Sequence, residues 1–190
     1  MLTSLDIDGV IAFHGHFCPG LAFGIRAGEW AVREFGRAAD EEIVAVVESD
    51  MCAVDAIQYL TGCTFGKGNF IFLDHGKNAF SFFRRSDGKN ARLMSRGDLV
   101  SDLREEQNQL APDDAEGRER IRRQMIDRIM QADFETIFSV GPAQLAMPEK
   151  ARIHKSIRCD VCGELTMATR ILCDPELTGG RHLCIPCRGK

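Results

Sequence analysis

The sequence predicts a chain that interleaves helices with short β-strands and ends in a small, cysteine-stapled segment. Three observations carry this. Apolar residues recur at helical spacing in several stretches, and short runs of β-branched and aromatic residues separate them. The eight cysteines fall into two groups toward opposite ends of the 190 residues. With 44% hydrophobic and 27% charged residues the composition is that of a folded globular protein. At ~150 residues per domain, the length predicts one main domain and a small second one. A chain of this size buries roughly 70% of its unfolded surface, enough for a substantial core.

Residues 19–36 predict a helix opened by Pro19, whose missing N–H costs nothing at the first helical position. Gly24 and Gly28 share its apolar face, so something must approach that face closely; packing on a sheet is the expectation. EIVAVVE (42–48) reads as a strand, and 52–62 as a helix with Ala53, Ala56, Ile57 and Leu60 on its apolar face. A loop, GCTFGKG, covers 62–68. FIFLD (70–74) and AFSFFRR (79–85) read as strands joined by a turn at His75-Gly76-Lys77, with a further strand near 90–95. Residues 98–138 read as helical pieces broken near Pro112. The arginines at 118, 120, 122, 123 and 128 alternate with acids and read as a solvated helix face. These assignments place a main domain at 1–138, a linker at 139–156 and a small domain at 157–190.

Net charge of −4 and a pI near 5.8 argue against a global positive field that would recruit nucleic acid. No apolar run approaches the ~18 residues of a membrane span. MLTSLDIDGV carries Asp6 and Asp8 and no basic segment, so it does not read as a signal peptide. A cytoplasmic protein is expected, whose thiols bind metal or react rather than form a disulfide framework.

In the tail, Cys159-Asp-Val-Cys162 and Cys184-Ile-Pro-Cys187 form two C-x-x-C pairs close to the spacing of a structural zinc site. Four thiolates close a tetrahedron at ~2.3 Å per Zn–S bond and leave no open position. A segment this short cannot build its own core, so metal would supply its folding energy. Cys173 has no partner and reads as a small buried filler. Asp174, His154 and His182 are reserve ligands. Arg181, Arg188 and Lys190 are too few to indicate a nucleic-acid surface.

At the other end, FHGHFCPG packs two imidazoles and a thiol into five positions. Cys18 is expected at the N-cap of the helix that Pro19 opens, and Cys52 in the first turn of the helix over 52–62. A helix N-terminus favours thiolate at both places. Cys63 lies at the opposite end of its helix and would need Lys67 or a metal to react. Zinc binds imidazole and thiolate together, so His14, His16, Cys18, Cys52 and Cys63 could supply a site with an open position. An extended HGH segment would send both imidazoles to one side, with His16 the preferred ligand and His14 behind it. Singly, each residue reads as an inert core group. GCTFGKGN is not a P-loop, since positions 61 and 68 are Thr and Gly. Its amides and Lys67 could hold a small anion. Asp50, Asp55 and Gln58 flank Cys52, as ligand-orienting or solvent-facing groups.

FHGHFCPGLAFGIRAG (13–28), ESDMCAVDAIQYLTGCTFGKGN (48–69) and the segment from Asp74 to Phe80 resemble the formylmethanofuran dehydrogenase FmdE family over roughly residues 5–135. The tail resembles the treble-clef zinc finger that some members carry. The resemblance implies an α+β fold, a mixed β-sheet flanked by helices with a thioredoxin-like core, and a homodimer. It implies a candidate active site at His14, His16, Cys18 and Cys52, with Cys63 and Lys67 nearby, able to bind zinc or another thiophilic metal. It also implies association with a molybdenum or tungsten formylmethanofuran dehydrogenase-type complex of methane-forming one-carbon metabolism. Only three residues follow Cys187, so a clef helix starting there would be stunted. The expected function is a metal-binding accessory subunit that handles a small one-carbon, sulfur-containing or anionic ligand, with a structural zinc in its tail. The alternatives are a metal-independent thiol oxidoreductase using Cys18 with Cys52 or Cys63, and a non-catalytic interaction protein in which both thiol clusters are structural.

Overall fold

Five short runs rich in β-branched and aromatic residues pair into one mixed sheet. In the computed structural model, which describes residues 3–97 and 99–188, they are β1 (Ile43–Val47), β2 (Phe70–Phe72), β3 (Ala79–Arg84), β4 (Asn90–Ser95) and β5 (Phe138–Gly141). Their order is β2-β1-β3-β4-β5, with β1 and β2 parallel and the other pairs antiparallel. The strand IVAVV is buried along its whole length, as a continuous apolar run inside a sheet should be. The turn expected at 75–77 is present, with Gly76 at φ 63°, but it does not close a hairpin. β2 and β3 flank β1, and the connection wraps the end of β1. Leu73 N–H donates to the Val47 carbonyl and Lys77 N–H to that of Glu48, both at 2.9 Å.

Helices complete an α+β fold: α1 (Ser4–His14), α2 (Pro19–Phe35), α3 (Ala53–Thr61), α4 (Ser101–Gln109), α5 (Ala115–Gln131) and α6 (Phe134–Ile137). The helical expectation over 98–138 holds in pieces; its first residue, 98, lies outside the described residues. α1 was not expected, because its apolar residues do not line one face and Leu5 and Phe13 remain exposed. Its start is fixed instead by a capping box, in which Thr3 accepts from Asp6 N–H and the Asp6 carboxylate accepts from Thr3 N–H.

The two faces of the sheet are covered differently. Val47, Phe80, Phe82 and Leu93 join α2, α3 and α5 in the main core. Val44, Val46 and Phe83 on the other face are covered by Ala143, Leu145 and Met147. Residues 139–150, expected as part of a linker, therefore belong to the first of two compact units, which ends at Lys150. Buried beside that second face is an ion pair. Arg92 donates to both Glu48 oxygens at 2.6 and 3.0 Å, with side chains 9% and 6% exposed. Arg92 holds the Glu48 carboxyl below its usual range, with His75 assisting against the opposing effect of burial.

Gly24 and Gly28 do receive a close approach, but from α3 and not from the sheet. A Cβ on Gly24 would lie 2.4 Å from the Ala53 carbonyl oxygen, and one on Gly28 would lie 2.7 Å from Leu60 Cδ1. The second unit begins at Ala151. It holds two small hairpins, β6 (Ser156–Arg158) with β7 (Leu165–Met167) and β8 (Ile171–Leu172) with β9 (Leu183–Cys184), and one turn of helix, α7 (Pro175–Thr178). Its buried cluster is Cys159, Cys184 and Cys187, with Ile171 against it.

Two outcomes are expected. Gly24→Ala should destabilise the chain by about 1–3 kcal/mol in urea unfolding, despite the better helix propensity of alanine, because the obstacle is backbone. The lowered folded-state pKa of Glu48 makes its contribution full above the unfolded value, ~4.3, and lost as pH falls through the folded value. Replacing Glu48→Leu together with Arg92→Met should therefore flatten the acid side of the stability profile.

Candidate metal centres

The helix crossing sets the first centre. α2 and α3 touch near their N-terminal ends, where Gly24 meets Ala53, and each helix carries a cysteine at its start. Cys18 is the N-cap of α2, and its Sγ accepts from Leu21 N–H at 3.4 Å. Cys52 is the residue before Ala53, which opens α3. Gly20 leaves room between them: a Cβ there would stand 3.6 Å from Cys52 Sγ and 3.9 Å from Cys18 Sγ. α1 delivers the third group as its last residue, His14, after which Gly15 turns the chain at φ 93°. One ligand atom from each of His14, Cys18 and Cys52 lies within 4.8 Å of the others.

The donor chemistry suits a thiophilic cation. His14 Nδ1 sits 2.7 Å from Asp55 Oδ2. Donation to that carboxylate fixes the tautomer that leaves a lone pair on Nε2. His14 Nε2 is buried and has no hydrogen-bond partner among the described residues. A buried polar atom without a partner is costly unless something fills its place. Burial pushes the Cys52 thiol up from its ordinary value, and Cys18 beside it pushes it further. The thiolate favoured by a helix start is thus opposed at Cys52, and a bound cation would remove that opposition.

The remaining expected residues go elsewhere. HGH is not extended, because His14 closes a helix. His16, the expected ligand, lies outside the converging set, with its ring centroid 4.6 Å from that of His14. Cys63 is fully buried in the main core and donates to the Ile43 carbonyl at 3.4 Å; burial raises its thiol. It is a core side chain and not a reactive one. Lys67 reaches the Ala38 carbonyl at 3.5 Å. The Gly-rich loop is tied down by buried Asn69, which bonds Thr64 N–H and the carbonyls of Asp40 and Ile43.

What that loop gives the site is Phe65. A cavity of about 360 Å³ opens onto His14 and Cys52, walled by Met51, Asp55, Phe65 and Phe72. The three apolar walls are exposed side chains, and nothing in the spacing of the sequence marked them. Arg122 was expected on a solvated face. Its guanidinium instead donates to the Phe17 carbonyl, next to Cys18, while Glu119 pairs with it at 2.7 Å.

In the second unit, Cys159, Cys162, Cys184 and Cys187 converge within 4.8 Å. Cys162 and Cys184 sulfurs are 3.8 Å apart, close to the ~3.8 Å edge of a tetrahedron with Zn–S bonds of ~2.3 Å. Backbone amides of Cys162, Cys184 and Val161 lower the Cys159 thiol to about 6, whereas Cys184 and burial push Cys187 up to about 12. Cys159 is prepared to ionise while Cys184 and Cys187 resist, and a bound cation would favour the thiolate form at both. Cys173 is not the expected buried filler: it is exposed and donates to the Gly180 carbonyl. Asp174 caps α7, and His182 lies 3.6 Å from Asp160. No helix among the described residues is long and apolar enough to cross a membrane.

Comparison with known proteins adds three findings. A model of the family FmdE, described as molybdenum formylmethanofuran dehydrogenase operon, matches residues 13–139. A probable S-adenosyl-L-methionine-binding protein of Archaeoglobus fulgidus is 32% identical over 93% of this chain, and the match spans 50% of that relative's length. The fold matches the crystal structure of a tungsten formylmethanofuran dehydrogenase FmdE-like protein from Syntrophus aciditrophicus, with a TM-score of 0.63 and 25% identity over 96% of this chain and 90% of that one.

Chelation should melt the second unit and leave the first folded. Limited proteolysis after metal removal should cut within 157–188 and spare the segment 43–95; an unchanged digest would contradict a metal-stapled tail.

Proposed function

The chain belongs to the FmdE family, and from that premise we propose that it is a metal-binding accessory subunit whose core metal faces a ligand cavity. The observation that supports this most is the buried, unpartnered Nε2 of His14, a residue that converges with two thiols beside that cavity. In this reading His14, Cys18 and Cys52 hold zinc or another thiophilic metal, and Asp55 orients His14. The metal would supply a Lewis-acid position for a one-carbon or sulfur-containing ligand. The chain's own residues do the rest. Phe65, Phe72 and Met51 bind the apolar part of the ligand and exclude water, and Arg122 holds the loop that carries Cys18. The tail cysteines hold a structural zinc in a finger-like domain after a short linker. Cytoplasmic location, a homodimer and association with a molybdenum or tungsten formylmethanofuran dehydrogenase-type complex follow from the same family reading.

A second reading takes its support from the Archaeoglobus relative. Aromatic walls beside the carboxylates of Asp50 and Asp55 suit a ligand that joins a planar ring to a cationic sulfonium. S-adenosyl-L-methionine has that chemistry, and the thiophilic centre would then meet its sulfur end.

Elemental analysis tests the core centre. The unaltered chain should carry two metals, and Cys18→Ser, Cys52→Ser and His14→Ala should each carry one. Cys63→Ala should keep both. Equal metal in all five chains would remove the proposal. Alkylation of Cys18 and Cys52 that begins only after chelation supports metal over thiol–disulfide chemistry; fast alkylation of the untreated chain supports the oxidoreductase alternative.

A further inference from the structure

The aromatic cavity reaches the core cluster from one side. A second cavity, of about 320 Å³, shares Met51 with it and is lined also by Gly20, where a Cβ would stand 3.6 Å from Cys52 Sγ and 3.9 Å from Cys18 Sγ. The charges of the two cavities differ. The first contains Asp50 and Asp55 and no lysine or arginine. Among the described residues lining the second, the charged ones are Lys77 and Arg104, both exposed and neither in an ion pair with another described residue. They come from unrelated elements, the wrap around the end of β1 and helix α4, so their meeting is a product of the fold and not of a local basic run.

One further feature points the same way. Gly20 and Ala53 lie in the first turns of α2 and α3, where amides lack intrahelical acceptors and the helix dipole is positive. Lys77 and Arg104, with two helix starts in the same wall, give the cavity a positive field that favours an anion.

We propose that this second cavity is an oxyanion subsite of the same centre, taking the carboxylate or phosphate group of a ligand whose remainder passes Met51 toward the metal. It rests on the reading of His14, Cys18 and Cys52 as a ligand-binding centre. Lys77 and Arg104 bind and orient the acidic group, and the first-turn amides supply further donors. The aromatic cavity takes the neutral or cationic part.

The test uses the full chain as purified, at constant ionic strength, titrated with inorganic phosphate and separately with acetate. Amide shifts of Gly20, Ala53 and Asn78 are followed by NMR. Saturable shifts at these amides are expected, and the anion that binds more tightly assigns the group as phosphate or carboxylate. Lys77→Gln and Arg104→Gln should each weaken that binding by about tenfold, the loss of roughly one charge-assisted hydrogen bond. Arg120→Gln, on the ion-paired face of α5, should leave it unchanged. Absence of saturation with both anions, or equal weakening in all three variants, overturns the subsite. Metal content separates the subsite from the centre it serves. Absent saturation with two metals still bound removes the subsite alone, whereas a single metal in the unaltered chain removes the core centre beneath it.

Discussion

Everything at the core centre depends on how closely α2 and α3 approach. That approach is possible because residue 24 has no side chain, so the backbone of Ala53 can occupy the space a Cβ would take. Bringing the two helices together near their N-terminal ends brings Cys18 and Cys52 together, since each precedes the first residue of its helix. Gly20, one turn earlier, lies against the pair: a Cβ there would stand 3.2 Å from Cys52 Cβ. The thiol pair is thus a consequence of backbone packing, with α1 adding His14 from a third direction.

Once assembled, the cluster has an electrostatic problem that its protein surroundings only partly relieve. Burial and the neighbouring Cys18 oppose ionisation of Cys52, and the imidazole of His14, held by Asp55 through Nδ1, keeps a buried, unpartnered Nε2. The tail shows the same problem with four sulfurs, eased at Cys159 by backbone amides and aggravated at Cys187. In both places a bound cation would relieve the conflict. The difference lies in surroundings. The tail cluster is the centre of a unit with almost no apolar core, whereas the core cluster opens onto a cavity and has only three donors.

Much of this was legible in the sequence because it was local. Pro19 announced the start of α2 and so put Cys18 at its cap, and paired C-x-x-C spacing announced the tail cluster. The run EIVAVVE announced a strand. The FmdE-type motifs at 13–28 and 48–69 supplied the mixed-sheet class. What was not legible depended on long-range geometry. The partner of Gly24 is a helix and not the sheet, β2 and β3 are separated by β1, and 143–147 covers a sheet face instead of linking domains. The choice of His14 over His16 turns on α1, whose start is marked by the Thr3–Asp6 box and not by periodicity. Cys63 and Lys67 carried reactive chemistry in a suggestive loop, but burial and a backbone carbonyl engage them. The apolar walls Met51, Phe65 and Phe72 come from three separate segments, so no short window of sequence contains the cavity.

Anomalous X-ray scattering at the zinc edge, recorded from crystals of the unaltered protein, tests the central claim most directly. Two peaks are expected, one within the tail tetrad and one bounded by His14 Nε2 and the sulfurs of Cys18 and Cys52. A lone peak in the tail, with the other two sulfurs bare or joined to each other, would contradict a metal centre in the core.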